Sequence, residues 1–146
     1  MAEPKLKKKW IPIDVWRGYY TYEISEEDKD RAKVIELSYV ARDPEENQKY
    51  LKTAMELLKN LGFNVMKRTL PTSNIFATNV VLIAYKDRPF TPEEKAFLDQ
   101  FEEAYVRYYT ESFSVFTGET YPLPIEEFKK EVSERAKSLL GKVIAD

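Results

Sequence analysis

The feature that most constrains this chain is the run Val80–Tyr85, Val-Leu-Ile-Ala-Tyr preceded by Val. It is the longest apolar stretch and far too short to span a bilayer, which takes about 18 or more apolar residues. A short, continuous apolar run between turn residues reads as a strand buried on both faces. Such a strand must lie in the middle of a sheet, and the rest of the chain must cover it.

The neighbouring pattern supplies candidates. In Val34–Ala41, Ile35, Leu37, Tyr39 and Ala41 alternate with Glu36 and Ser38, the period of a strand. Asp43-Pro44-Glu45-Glu46 is a helix start, with Asp at the cap, Pro at the first helical position and acid in the first turn. Leu51, Ala54, Met55, Leu58 and Leu61 then recur at helical spacing up to Gly62. Phe63–Leu70 reads as a second strand, Pro71–Asn74 as a turn and Ile75–Tyr85 as the third strand. Thr91-Pro92-Glu93-Glu94 repeats the helix-start signature, and Phe97, Phe101, Ala104, Tyr105 and Tyr108 form one helical stripe. Ser112–Thr117 reads as a short fourth strand, followed by a turn around Gly118 and Pro122. A last helix is expected from about Pro124 to Leu140, with Ile125, Phe128, Val132, Ala136 and Leu139 on one side and Gly141 beyond its end.

Strand, helix, strand, strand, helix, strand over residues 34–117 predicts an α+β chain with a ferredoxin-like (βαββαβ) sandwich, its first and third strands central. Residues 10–24 add an N-terminal β-hairpin turning at Arg17-Gly18, and the last helix is an extra C-terminal element. Residues 1–9 read as a basic flexible tail and 10–146 as a single domain. Ser25–Lys33 is a charged connector with room for one helical turn.

Two absences narrow the chemistry. The 146 residues include no Cys and no His. Thiolate nucleophiles, disulfides, Cys-ligated zinc and Ser-His or Cys-His catalysis are therefore excluded. Carboxylate, Lys, Tyr, Arg and Ser/Thr chemistry remains, with oxygen-ligated divalent cations. Hydrophobic residues are 43% and charged residues 33%, which excludes a wholly disordered chain. Abundant Lys, Glu and Tyr with only two Gln follows the thermophile pattern. No apolar leader or membrane span is evident, so the reading is a soluble, intracellular, cytoplasmic protein with no membrane partner and no cofactor.

Four constellations could carry function. The first twenty residues hold Lys5, Lys7, Lys8, Lys9 and Arg17 against Glu3 and Asp14, while the rest of the chain is acidic. With Trp10 and Tyr20 among them, these cations could contact single-stranded nucleic acid or RNA: lysines neutralise phosphates and aromatic faces stack on bases. Equally, they could be a solubilising tail followed by an ordinary aromatic hairpin. A second group, Trp16, Tyr22, Tyr105, Tyr108 and Tyr109, reads as core or as an oligomer interface. A third, Glu36, Ser38 and Asn79, with Lys67 or Arg68, could line a polar sheet face. A fourth, Asp14, Glu23 and Glu36, could converge as carboxylates for a metal-dependent phosphoesterase, although no Asp…(Asp/Glu)-x-Lys spacing supports this. The leading expectation is a small non-catalytic binding or assembly module that forms a homodimer, with Trp10, Trp16 and Tyr20 as anchors. A nucleic-acid-binding accessory protein and a His-free phosphoesterase are the alternatives.

Overall fold

The computed structural model describes residues 2–40, 44–71, 77–114 and 125–144. It is mixed α+β, with two small antiparallel sheets and three helices. The chain divides into two compact units: Met1–Glu45 with Phe63–Phe90, and Glu46–Gly62 with Thr91–Asp146.

The first unit is the β unit. Strands β1 (Leu6–Pro12) and β2 (Gly18–Ile24) form an antiparallel hairpin in which Trp10 pairs with Tyr20 and Pro12 with Gly18. A single 3₁₀ turn, Glu26–Asp28, follows. Strands β3 (Ala32–Val40), β4 (Asn64–Pro71) and β5 (Ala77–Tyr85) make the other sheet, in the order β3-β5-β4. As the apolar run predicts, β5 is central, and Val80 through Tyr85 are all buried.

Alternation explains how the two faces of β5 are used. Val81, Ile83 and Tyr85 share one face with Ala32, Met66 and Leu70, and Ile24 of the hairpin completes that cluster. Leu6, Tyr20, Tyr22 and Val34 pack around it. The hairpin therefore lies over this face of the sheet without extending it. Val80, Leu82 and Ala84, with Ile35 of β3, are buried on the other face.

The second unit is helical: α1 (Pro44–Asn60), α2 (Pro92–Ser114) and α3 (Ile125–Leu140). Its core is aromatic. The Phe128 ring lies 5.9 Å from Phe101, 5.7 Å from Tyr105, 5.7 Å from Tyr108 and 6.2 Å from Tyr50. Tyr50 and Leu57 are buried although the apolar stripe read from α1 did not include them. The second capping signature is a reciprocal box: the Thr91 amide donates to Glu94 Oε1 at 2.8 Å, and the Glu94 amide donates to Thr91 Oγ1 at 3.1 Å. Gly62 and Gly141 take positive φ, 91° and 64°, beyond α1 and α3. The Lys142 ammonium then donates to the Leu61 carbonyl at 2.8 Å, tying the two helix ends together.

Three expectations need correction. Ser112–Ser114 are the end of α2 and not a fourth strand, and 115–117 lie outside the described residues. Among the described residues β3 thus has a strand neighbour on one side only, and the ferredoxin-like order is not completed. Short apolar segments such as Phe113–Val115 suit either period, and here α2 continues through Phe113 to Ser114. Leu6–Lys9, assigned to the tail, are the first four residues of β1. The hairpin connection is the five residues 13–17 and not the pair Arg17-Gly18. Asp43, 72–76, Gly118, Tyr121, Pro122 and Pro124 lie outside the described residues.

Gly18 is required by close approach. A Cβ placed there would lie 2.2 Å from the Trp10 ring and 2.7 Å from the Ile11 carbonyl oxygen. Gly18→Ala should destabilise the chain by roughly 1–3 kcal/mol through overpacking, read as a lower urea midpoint. An unchanged midpoint would show that Trp10 does not sit over Gly18.

Candidate functional site

The β1–β2 hairpin gathers most of the residues singled out from sequence, and local chemistry holds it at both ends. At the tip, Asp14 accepts from the amides of Trp16 and Arg17, each at 2.8 Å, and from Arg17 Nε at 2.7 Å. The Ile13 and Asp14 amides both donate to the Arg17 carbonyl, at 2.9 and 3.2 Å. This is an Asx-type turn, in which a short carboxylate replaces a backbone acceptor. The Trp16 amide, then the Arg17 side chain, holds the Asp14 carboxyl below the usual aspartate range.

At the base, Asp28 accepts from the Lys5 amide at 2.8 Å, from the Ser25 hydroxyl at 3.2 Å and from Arg31 Nε at 2.8 Å. Arg31 also donates to the carbonyls of Ala2 and Lys86. The buried Asp28 thus fixes where β1 begins, and the Lys5 amide, followed by Arg31, lowers its pKa.

Between these ends the side chains are graded. Ile13, Val15 and Trp16 at the tip are 62%, 90% and 87% exposed, and Trp10 is 44% exposed. Only two other large hydrophobic side chains are exposed among the described residues, Val106 and Val143, so the apolar exposure is concentrated on this hairpin. Trp10 meets Tyr20 edge-on at 4.8 Å, and the Lys8 ammonium lies 4.6 Å from the centre of the Tyr20 ring. Lys7 and Lys9 are exposed; by alternation they occupy the hairpin face opposite Lys8 and Trp10. Lys5 pairs with Glu27 at 3.3 Å and Arg17 with Asp14, which leaves Lys7, Lys8 and Lys9 as the cationic row of β1.

The other candidates are dispersed. Tyr22 is half-buried against the sheet. Tyr105 is a core residue whose burial pushes its hydroxyl pKa up. Tyr108 meets Phe128 edge to face, and its neighbours Arg107 and Glu131 form an ion pair. The side chain of Tyr109 lies outside the described residues. So do those of Glu36, Ser38 and Asn79, although the strand register sets Ser38 opposite Asn79 and Glu36 opposite Val81. Lys67 and Arg68 pair with Leu82 and Val81, so they fall on opposite faces. Asp14 and Glu23 stand at opposite ends of the hairpin. No group of three or more Asp or Glu able to hold a metal occurs among the described residues. In the helical unit, Thr53, Glu56, Leu57, Asn60, Lys129, Ser133 and Ile144 line a cavity of about 190 Å³, below the roughly 300 Å³ at which small-molecule sites begin.

Sequence reading missed Ile13 and Val15 as tip residues, because they continue an alternation begun at Ile11. The signal was Asp14 three residues before Arg17, followed by Gly18. No protein-family model, curated protein or solved structure matches this chain. No helix among the described residues is long and apolar enough to cross a membrane.

The Asp28 contacts set a pH dependence. Folding lowers this carboxyl below the ordinary 3.8, so its contribution is complete above that value and is lost as pH falls through the folded value. Asp28→Asn should lower the urea midpoint at neutral pH, with the deficit shrinking by about pH 3. A deficit constant across that range would mean that the Asp28 charge does not hold the base of the hairpin.

Proposed function

We propose that this chain is a binding and assembly module, acting by contact and not by chemistry, with the β1–β2 hairpin as its contact element. The observation that carries this reading is the exposed trio Ile13, Val15 and Trp16 on a turn in which four of the five amides donate internally. Burial of an aliphatic side chain of this size is worth about 1.5–3 kcal/mol, so the tip gains from any apolar cover it can find. The turn is already ordered, which reduces the entropy lost on contact. In water without a partner, the available cover is a second copy, the homodimer expected from sequence.

A nucleic-acid contact is the second reading. It is favoured by Lys7, Lys8 and Lys9 beside the edge-stacked Trp10 and Tyr20. Its signature is salt sensitivity, since phosphate contacts release counterions.

Light scattering behind size exclusion separates the two. The wild-type chain should gain apparent mass with protein concentration, and this should persist at high salt. The double variant Val15→Ser, Trp16→Ser should remain monomeric with an unchanged far-ultraviolet circular dichroism spectrum. Wild type and variant eluting as the same species at every concentration would overturn assembly through the tip. Co-elution with a mixed-sequence single-stranded oligonucleotide, lost at high salt and in the Lys7→Ala, Lys8→Ala, Lys9→Ala variant, would establish the second reading instead.

A further inference from the structure

Along its axis the hairpin presents three chemistries in sequence. The tip is aliphatic and indole: Ile13, Val15 and Trp16. Next come Trp10 and Tyr20, packed edge to face beside Pro12 and Gly18. Behind them lie Lys9, Lys8 and Lys7, three to five residues back from Pro12, or about 10–17 Å at the rise of an extended strand. Apolar, then aromatic, then cationic is the order of a lipid interface met end-on: acyl boundary, headgroup belt, phosphate plane. We propose that the hairpin docks by its tip on an anionic lipid surface. Ile13, Val15 and Trp16 enter the headgroup–acyl boundary, Trp10 and Tyr20 lie at headgroup level, and Lys7–Lys9 face the phosphates. This rests on the reading of the hairpin as the contact element.

Three observations favour lipid over the other occupants. Backbone polar groups that enter an apolar layer must be satisfied internally. At this tip four of the five amides, those of Ile13, Asp14, Trp16 and Arg17, donate within the turn, which lowers the cost of entry, and the one acid there is paired with Arg17. Secondly, the cations occupy both faces of β1, with Lys7 and Lys9 on one and Lys8 on the other. That arrangement suits a plane crossed by the hairpin. A single strand of nucleic acid needs its cations and stacking rings on one face, and the aliphatic tip has no counterpart there. Thirdly, the remaining exposed hydrophobics among the described residues, Val106 and Val143, are single, so on the described surface a second copy covers the tip only with its own tip, whereas a lipid surface takes the tip and the lysines behind it together. The expectation of no membrane partner came from the lack of a spanning segment; a tip that enters about 5–10 Å of the interface requires none.

The test is flotation of the full chain with phosphatidylserine-containing vesicles and with phosphatidylcholine-only vesicles, at low and high salt. The wild type should float with the first at low salt, and the Val15→Ser, Trp16→Ser variant should not. Lys7→Ala, Lys8→Ala, Lys9→Ala should weaken partitioning on the order of a hundredfold, about fivefold per lysine. In a Trp10→Phe chain, Trp16 is the sole tryptophan; its emission should shift to the blue on vesicle addition and be quenched by brominated acyl chains. Neither flotation nor a blue shift with phosphatidylserine vesicles would overturn the lipid assignment. In that event, tip-dependent self-association or lysine-dependent oligonucleotide binding would keep the hairpin as contact element and replace its occupant. Absence of both would remove the hairpin reading as well.

Discussion

The burial of β5 on both faces is the constraint from which the rest of the β unit follows. A strand reading Val-Val-Leu-Ile-Ala-Tyr cannot leave either face in water. One face is covered by the hairpin, through Leu6, Tyr20, Tyr22 and Ile24. Leu6, Tyr22 and Ile24 come from the half of the hairpin nearer its base, and Tyr20 stands three pairs from the turn. The connection 13–17 takes no part in that cluster, and its side chains stay exposed. The element that completes the core is thus also the one that projects an apolar end. Its two roles are divided along its length, with Gly18 and Trp10 at the boundary.

Much of this was legible in the sequence. The centrality of β5, the spans of α1 and α3, the reciprocal cap at Thr91–Glu94 and the glycines beyond two helices follow from local rules. The hairpin existed on paper, but its bounds did not. β1 reads Leu-Lys-Lys-Lys-Trp-Ile-Pro, and three consecutive lysines conceal a strand from any pattern based on apolar alternation. Conversely, Ile11, Ile13 and Val15 alternate as a strand would, yet the Asp14 carboxylate turns the chain between them. A side-chain acceptor here overrides β propensity, which measures fit to a half-buried pleat more than backbone preference. The end of α2 was misread for a related reason: Phe113 and Val115 are too few to fix a period.

The candidate site was legible only as a composition. Lysines and aromatic residues clustered near the N-terminus, but their sorting along and across the hairpin depends on register. Pairing Trp10 with Tyr20 places Lys8 with the aromatic face and sends Lys7 and Lys9 to the other. A shift of one residue would exchange these sets. Pairwise register is fixed by the turn, so Asp14 and Arg17 at the tip determine where each lysine lies. Asp28 does the same from the base through the Lys5 amide. Two carboxylates, Asp14 and Asp28, therefore set the geometry of the whole hairpin surface.

The lysines also have a structural consequence. In a two-stranded sheet both strands are edges, and exposed edges invite pairing with another chain. Three consecutive lysines on β1 blunt that edge, because strand addition would bring further backbone beside a row of like charges. Strand-to-strand association is thereby disfavoured along the length of β1, while the tip carries no such charge row and has its one ion pair closed on itself. On the proposed reading, contact is thereby directed to the end of the hairpin and away from its side. An element built this way would meet a partner as a point with a cationic collar, so that the apolar surface at the tip, and not the capacity of the strand to extend a sheet, would set what it binds.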